Sequence, residues 1–211
     1  MEQTEVVNMT PDTELISRII EGEKKLFEVI IRRYNQRLYR VGMSLLNNEV
    51  ETEDAMQVAY IKAYENLSHF ENRSTFITWL TRIMLNQCYE QKRKQVQHAN
   101  ALKETDNYIN MKTPANILAN KELSIALEAA IEELPEKYRL VFVLREIEGM
   151  SVHETSEVLD IEEPNVKVRL NRAKSMLRGN LQSYFQEQVY HFNLIKCDRV
   201  VDYVMKYLNI T

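Results

Sequence analysis

A chain of 211 residues that carries only four glycines and four prolines has few places to turn. Average usage is about 7% glycine and 5% proline, so the breakers here are scarce and mark boundaries. An all-α fold is expected. Apolar residues recur three or four positions apart from Leu15 to about Val96, the spacing of one face of a helix. This predicts helices near 12–21, 23–46, 51–67 and 74–96. Asn47, Asn48 and Thr52 supply turn and capping groups between the second and third. "SHFENRS" (68–74) separates the third from the fourth, with Ser74 as the expected cap.

Residues 97–117 are polar, weakly periodic and contain Pro114, and read as an interdomain linker. The alternative is a loop folded on one domain. A second helical block runs from about 118 to 185, cut into three or four short helices by Pro135, Gly149 and Pro164. The final stretch, "VYHFNLIKCDRVVDYVMKYLNIT", is a separate amphipathic tail. The expected organisation is therefore a helical domain over 1–96, a linker over 97–117, a second helical domain over 118–185, and a tail over 186–211.

Hydrophobic residues make up 45% of the chain, enough for a buried core. Cys88 and Cys197 are more than a hundred positions apart and do not suggest a disulfide framework. The acidic start "MEQTEVVNMTPDTE" is no signal peptide, and no apolar run approaches the ~20 residues of a membrane span. The expectation is a soluble, cytoplasmic protein.

The formal charge is −4, a weak argument against nucleic acid, but its distribution says more. Acids cluster at Glu49–Asp54, at Glu128–Glu136 and from Glu146 to Glu163. Bases cluster at Lys92, Arg93 and Lys94. From Pro164 to Arg178 there are five bases and no acid: Lys167, Arg169, Arg172, Lys174 and Arg178. Two basic patches on an acidic protein imply two anion-binding places and at least one other partner.

The second basic patch has a recognisable setting. Ser151 and Glu154 have capping-box spacing, opening a short helix from Val152 to Leu159. "DIEE" turns the chain, and Pro164 suits the first turn of the next helix. Two short helices joined by a tight turn, the second basic, match a helix-turn-helix. At about 100° per residue, Val166, Leu170, Ala173 and Leu177 fall on one stripe and face the core. Val168, Asn171, Arg172 and Ser175 point the other way, with Asn165, Lys167 and Arg178 on the shoulders. A small polar centre rimmed by cations suits a helix in the major groove, where Asn and Arg read base edges and Lys and Arg grip phosphates. An ordinary surface helix usually mixes charge signs to gain i,i+4 pairs, and this one does not. "HETSE" begins like a zinc-protease motif, but position 157 is Glu157 rather than a second histidine, so no zinc site follows.

The first block offers two more faces. In the 74–96 helix, Phe76, Leu80, Ile83 and Met84 form the buried side. Thr78, Arg82, Asn86, Tyr89 and Arg93 lie opposite, a row able to grip phosphates and stack on unpaired bases. The preceding loop carries His69, Phe70, Asn72 and Arg73. Trp79 and Tyr64 read as core aromatics. In the helix over 53–67, Ala55, Met56, Ala59, Tyr60, Ala63 and Leu67 face inward. Asp54, Gln57, Val58, Ile61 and Glu65 face outward, and two β-branched apolar residues among polar ones hint at a protein interface, although isolated exposed Val or Ile is common.

Together these stretches resemble the extracytoplasmic-function type of bacterial RNA polymerase sigma factor. "TEDAMQVAYIKAYENLSHFENRSTFITWLTRIMLNQCYEQKRK" is similar to region 2 of that family, and "IEELPEKYRLVFVLREIEGMSVHETSEVLDIEEPNVKVRLNRAKSML" to region 4. The similarity covers roughly 12–183 in the expected order. It implies a promoter-specificity subunit without catalytic residues, cofactor, metal or small-molecule substrate. The implied partners are core RNA polymerase (its β′ clamp helices and β subunit), promoter DNA and an anti-sigma factor. Asp54 and Gln57, with Val58 and Ile61 beside them, match the polymerase-docking positions. His69, Phe70, Asn72, Arg73, Arg82, Asn86, Tyr89 and Arg93 fall in the part that captures the −10 element. Asn165, Lys167, Val168, Arg169, Asn171, Arg172 and Lys174 fall in the reader of the −35 element. Arg169 lies beside the core stripe, so a phosphate contact is expected there. Two positions depart from the family: Val58 stands where an acid is usual, and Val168 where a small polar residue is common. Cys197 and the stripe Val200, Val201, Val204, Met205 and Leu208 lie in the tail, which either packs on a neighbouring domain or docks reversibly. A free-standing helix-turn-helix regulator would need a ligand or receiver domain that nothing here resembles.

Overall fold

The computed structural model describes residues 10–101 and 120–188, and every regular element among them is helical. We label them α1 (Asp12–Ile20), α2 (Phe27–Leu46), α3 (Glu49–Glu65), α4 (Phe76–Ala101), α5 (Asn120–Glu132), α6 (Glu136–Phe142), α7 (Val152–Leu159) and α8 (Glu163–Gln188). Short 3₁₀ turns at Lys24–Leu26 and Leu67–His69 precede α2 and follow α3, and a π-helical turn, Val143–Ile147, prolongs α6. The remainder of the expected linker and most of the tail, with Cys197 and the Val200–Leu208 stripe, lie outside the described residues.

The helix ends follow local chemistry. Asn47 closes α2 in the left-handed region (φ 48°), which asparagine tolerates. Asn48 then caps α3, its side chain accepting from the Glu51 amide at 3.1 Å. At the start of α4 the capping group is not Ser74, which the sequence suggested. Thr75 Oγ1 accepts from the Thr78 amide at 3.4 Å, because Ser74 donates to the Thr75 carbonyl instead. The backbone of α4 continues to Ala101, five residues past its expected end.

The main core lies where α2, α3 and α4 cross. Ile30, Leu38 and Val41 of α2 meet Leu80 and Met84 of α4, all fully enclosed. Each such side chain contributes roughly 1.5–3 kcal/mol on burial. α3 presents Ala55, Ala59 and Ala63, whose small size lets the other helices approach. At the tightest point, Gly42, an added Cβ would stand 2.6 Å from Thr52 Cγ2 and 2.7 Å from Met84 Cε. Phe27 packs edge-on against Tyr64, with ring centroids 5.0 Å apart, and Trp79 lies in a cluster with Phe70 and Phe76. Both expected core aromatics, Tyr64 and Trp79, are half-buried in such clusters. Cys88 is fully enclosed, and burial pushes its thiol up to about 12, so it stays protonated and inert.

The second set of helices has a smaller core of Leu134, Tyr138 and Ala173, with Val166 enclosed beneath α8. It does not stand apart from the first. Leu140, Leu144, Met150 and Val158 join the cluster that contains Leu80 and Met84, so α6, the π turn and α7 lie against α2 and α4. Polar groups rim this contact. Glu148, with its side chain only 2% exposed, takes Arg37 Nε at 3.0 Å and Arg40 Nε at 2.5 Å. Arg37 also donates to the Glu148 carbonyl. Arg139 Nε donates to the Ser44 carbonyl at 2.6 Å, and Lys92 pairs with Glu136. Among the described residues no helix is long and apolar enough to cross a membrane.

Candidate nucleic-acid and polymerase interfaces

The α7–α8 pair forms the expected tight corner. Ser151 Oγ accepts from the Glu154 amide at 3.1 Å, and Glu154 Oε2 accepts from the Ser151 amide at 2.8 Å, a complete capping box that satisfies two orphan donors. Asp160 ends α7 at φ 51°, and Pro164 sits in the first turn of α8. Val166 and Ala173 are fully enclosed and Leu177 is nearly so, which turns Asn165, Lys167, Val168, Asn171, Arg172 and Lys174 outward. Val168 is 50% exposed at the centre of this face. Arg169 is half-buried beside the stripe, where the helical wheel puts it.

Three members of this face are held by neighbours. Arg169 Nε donates to Asn165 Oδ1 at 3.3 Å. Arg172 Nη1 donates to the Tyr138 hydroxyl at 3.2 Å, and Lys174 pairs with Glu146 at 2.8 Å. Lys167 and Asn171 make no side-chain hydrogen bond or ion pair among the described residues. Lys167 and Asn171 flank Val168, while Arg172 is oriented by α6, Lys174 by the π turn and Arg169 by Asn165 of its own helix.

On α4, Arg82, Asn86, Tyr89 and Arg93 are exposed along one side. All but Arg82 line an open groove of about 970 Å³, whose walls also include Trp79 and His69. Lys62 and Asn66 from the end of α3 also line it. The sequence reading missed both, although each follows the inward Ala59–Ala63 register by a few residues. Lys62 is tied to Glu90 at 3.6 Å. In the loop, Asn72 adopts φ 54° and Arg73 pairs with Glu71 at 2.5 Å, both side chains exposed. Phe70 is half-buried, its ring 5.4 Å from Phe76 and 5.3 Å from Trp79, so it packs behind Trp79 rather than lining the groove.

Thr78 departs from the expected outward row. It is 3% exposed and lies against α7, sharing a 2.7 Å hydrogen bond with Thr75 and donating to Glu154 Oε1 at 3.4 Å. The wheel of α4 alone cannot reveal this, because the covering helix is some 75 residues away. Burial raises the Tyr89 phenol above its ordinary value, Glu136 of α6 adds to the rise, and Arg169 of α8 opposes it. Tyr89 thus feels the charge of α6 and α8 as well as that of its own helix.

The third face is on α3. Ala55, Ala59, Tyr60 and Ala63 point inward, and Asp54, Gln57, Val58 and Ile61 point out, with Val58 41% and Ile61 58% exposed. Gln57 and Ile61 border a second groove, about 1350 Å³, between α2 and α3. Its floor includes Phe27, Ile31, Met56, Tyr60 and Tyr64. Apolar and aromatic residues on a rim of mixed charge, Lys24 and Lys25 with Glu28, Glu53 and Glu65, suit a protein partner.

Comparison with known proteins accounts for both halves. The Sigma-70 region 2 family matches residues 30–97 and the Sigma-70 region 4 family matches residues 124–177. The ECF RNA polymerase sigma factor SigW of Bacillus subtilis is 30% identical over 185 residues, covering 79% of this chain and 95% of SigW. The ECF RNA polymerase sigma-E factor of Escherichia coli K12 is 29% identical over 190 residues, covering 81% of this chain and 94% of the sigma-E factor. Among solved structures, CnrH in complex with the cytosolic domain of CnrY aligns with TM-score 0.61 at 24% identity, over 82% of this chain and 97% of CnrH. The sigma factor RpoE of Bartonella quintana, in complex with the anti-sigma factor NepR, aligns with TM-score 0.58 at 22% identity, over 74% and 96%. These two establish likeness of fold. With region 2 and region 4 in order and a full-length relative at 30% identity, the chain belongs to the extracytoplasmic-function RNA polymerase sigma factors, which direct promoter recognition and transcription initiation.

Proposed function

We propose that this sigma factor divides its work among the three faces described. The α3 face, Asp54, Gln57, Val58 and Ile61, docks on core polymerase at the β′ clamp helices. The α4 groove, lined by His69, Asn86, Tyr89 and Arg93, holds unpaired bases of the −10 element, together with Arg82 of the same helix and Phe70, Asn72 and Arg73 of the loop before it. The outward face of α8 enters the major groove at the −35 element. There Asn165, Val168, Asn171 and Arg172 meet base edges while Lys167, Arg169 and Lys174 grip phosphates. The chain acts by binding, in the cytoplasm, without catalytic chemistry or cofactor. An anti-sigma factor is a further partner, by likeness to relatives solved with one.

The observation that carries this reading is the division of α8. Its enclosed stripe, Val166, Ala173 and Leu177, forces every one of its cations to the rim or the outer face. The test is Lys167→Ala combined with Arg172→Ala, assayed with core polymerase on a promoter that has a −35 element and on one that lacks it. Transcription from the first is expected to fall toward that of the second, and full −35-dependent transcription would refute the assignment.

A further inference from the structure

Val168 contributes little to the stability of α8. It is the sixth residue of the helix and lies opposite the enclosed stripe of Val166, Ala173 and Leu177. At 50% exposed its methyls add nothing to the core, and a β-branched residue is a poorer helix former than alanine. A single exposed valine is common on protein surfaces, but this one has a particular setting. From Asn165 to Ser175 every other exposed residue of α8 is polar or charged. The face they share is the one proposed above to meet the −35 element, a reading on which this inference rests.

The neighbours of Val168 leave it bare. Arg172, one turn on, has a side chain long enough to lie across it, but its Nη1 is held by the Tyr138 hydroxyl at 3.2 Å. Tyr138 is in turn fixed in the small core with Leu134 and Ala173. Asn165, three residues earlier, is engaged with Arg169 Nε at 3.3 Å. Within a helix valine has one strongly preferred χ1 rotamer, so its two methyls point in a set direction. They do so from the early turns of the helix, which are the turns that meet base edges in a helix-turn-helix.

A valine side chain has no donor and no acceptor, so it cannot read a hydrogen-bonding pattern. Of the four bases only thymine carries an apolar group, its C5-methyl, in the major groove. Cytosine presents an amino group there, and the purines present N7 with O6 or N6. Any of these placed against Val168 would lose water and gain no partner. We propose that Val168 selects one thymine of the −35 element through its C5-methyl group, a choice that a small polar side chain at this position would not make.

The test uses the full chain bound to core polymerase and a pool of promoter duplexes randomised over the −35 element. Wild type is expected to enrich a defined sequence, in which each thymine of either strand is then replaced in turn by deoxyuridine. The exchange keeps the base pair and removes only the methyl. At one thymine it should weaken binding roughly fourfold, the worth of one methyl withdrawn from water. Val168→Ser should bind the thymine and deoxyuridine duplexes equally and keep the other enriched bases. A methyl that acted only through duplex stiffness would be felt by the variant as well, so the full loss persisting in Val168→Ser overturns the contact. An enriched sequence without thymine, or wild type indifferent to deoxyuridine at every thymine, overturns it too and leaves the −35 reading of α8 standing. No enrichment anywhere over the −35 element would refute that reading, and the selection by Val168 with it. Because deoxyuridine alters only the DNA, the wild-type result stands whatever the stability of the variant.

Discussion

Gly42 sits where α2, α3 and α4 cross, and its replacement by alanine sets two effects of known size against each other. Alanine in a helix interior gains about 1 kcal/mol over glycine in backbone propensity. The new methyl would meet Met84 Cε at 2.7 Å and Thr52 Cγ2 at 2.6 Å. Met84 ends in a flexible thioether that can swing aside. Thr52 is β-branched, restricted in χ1 and fully enclosed, so its methyl cannot yield without moving α3. Overpacking of this kind costs roughly 1–3 kcal/mol. The net expectation for Gly42→Ala is a loss of about 1 kcal/mol, or roughly 2–4 °C in Tm for a chain of this size. Thermal melting followed by circular dichroism measures it. Thr52→Ser removes Cγ2 and keeps the hydroxyl that reaches Met43 Sδ at 3.5 Å, so Gly42→Ala in that background should cost little or be favourable. A loss of the same size in both backgrounds, or a Gly42→Ala protein more stable than wild type, would refute this account of the crossing.

Two further outcomes concern charge. Binding of the polymerase complex to promoter duplex should weaken with salt, and Lys167→Ala should flatten the dependence by about 0.9 log units per log unit of salt if Lys167 makes one phosphate contact; an unchanged slope in a binding titration would remove Lys167 from the phosphate set. Glu154 is held below the usual carboxylate range, chiefly by the Ser151 amide, with the hydroxyls of Ser151, Thr75 and Thr78 adding to this and burial opposing it. A depressed carboxylate contributes stability above its unfolded value, near 4.5, and loses it as pH falls through the folded value. Glu154→Gln should thus melt below wild type at pH 7, and the gap should close as pH falls below about 4.5; a constant gap from pH 7 to 3 would contradict the assignment.

How much of this could be read from sequence depends on how local the determinant is. The capping box at Ser151 and Glu154, the Val166–Ala173–Leu177 stripe and the inward alanines of α3 are set by neighbours within a turn or two, and periodicity exposes them. The outward position of Asp54, Gln57, Val58 and Ile61 follows from the same register. Thr78 was misplaced because its cover comes from α7, and a single helix carries no mark of a distant one. Glu148 stood unremarked within an acidic run, since its partners Arg37 and Arg40 lie more than a hundred residues earlier. Lys62 and Asn66 escaped for a related reason: a groove wall shared by two helices has no period of its own.

The π turn at Val143–Ile147 has a consequence for tolerated change. The Glu148 amide reaches back five residues to the Val143 carbonyl at 2.9 Å, so the turn holds one residue more than an α-helix would. Ile147 is 40% exposed, and a different side chain there can be absorbed. Deleting one residue there removes the surplus: the turn relaxes to α-helix and Glu148 keeps its place, whereas the same deletion within α2 would rotate everything after it by about 100°. At this corner the chain is buffered against a misspelling and against a dropped letter alike.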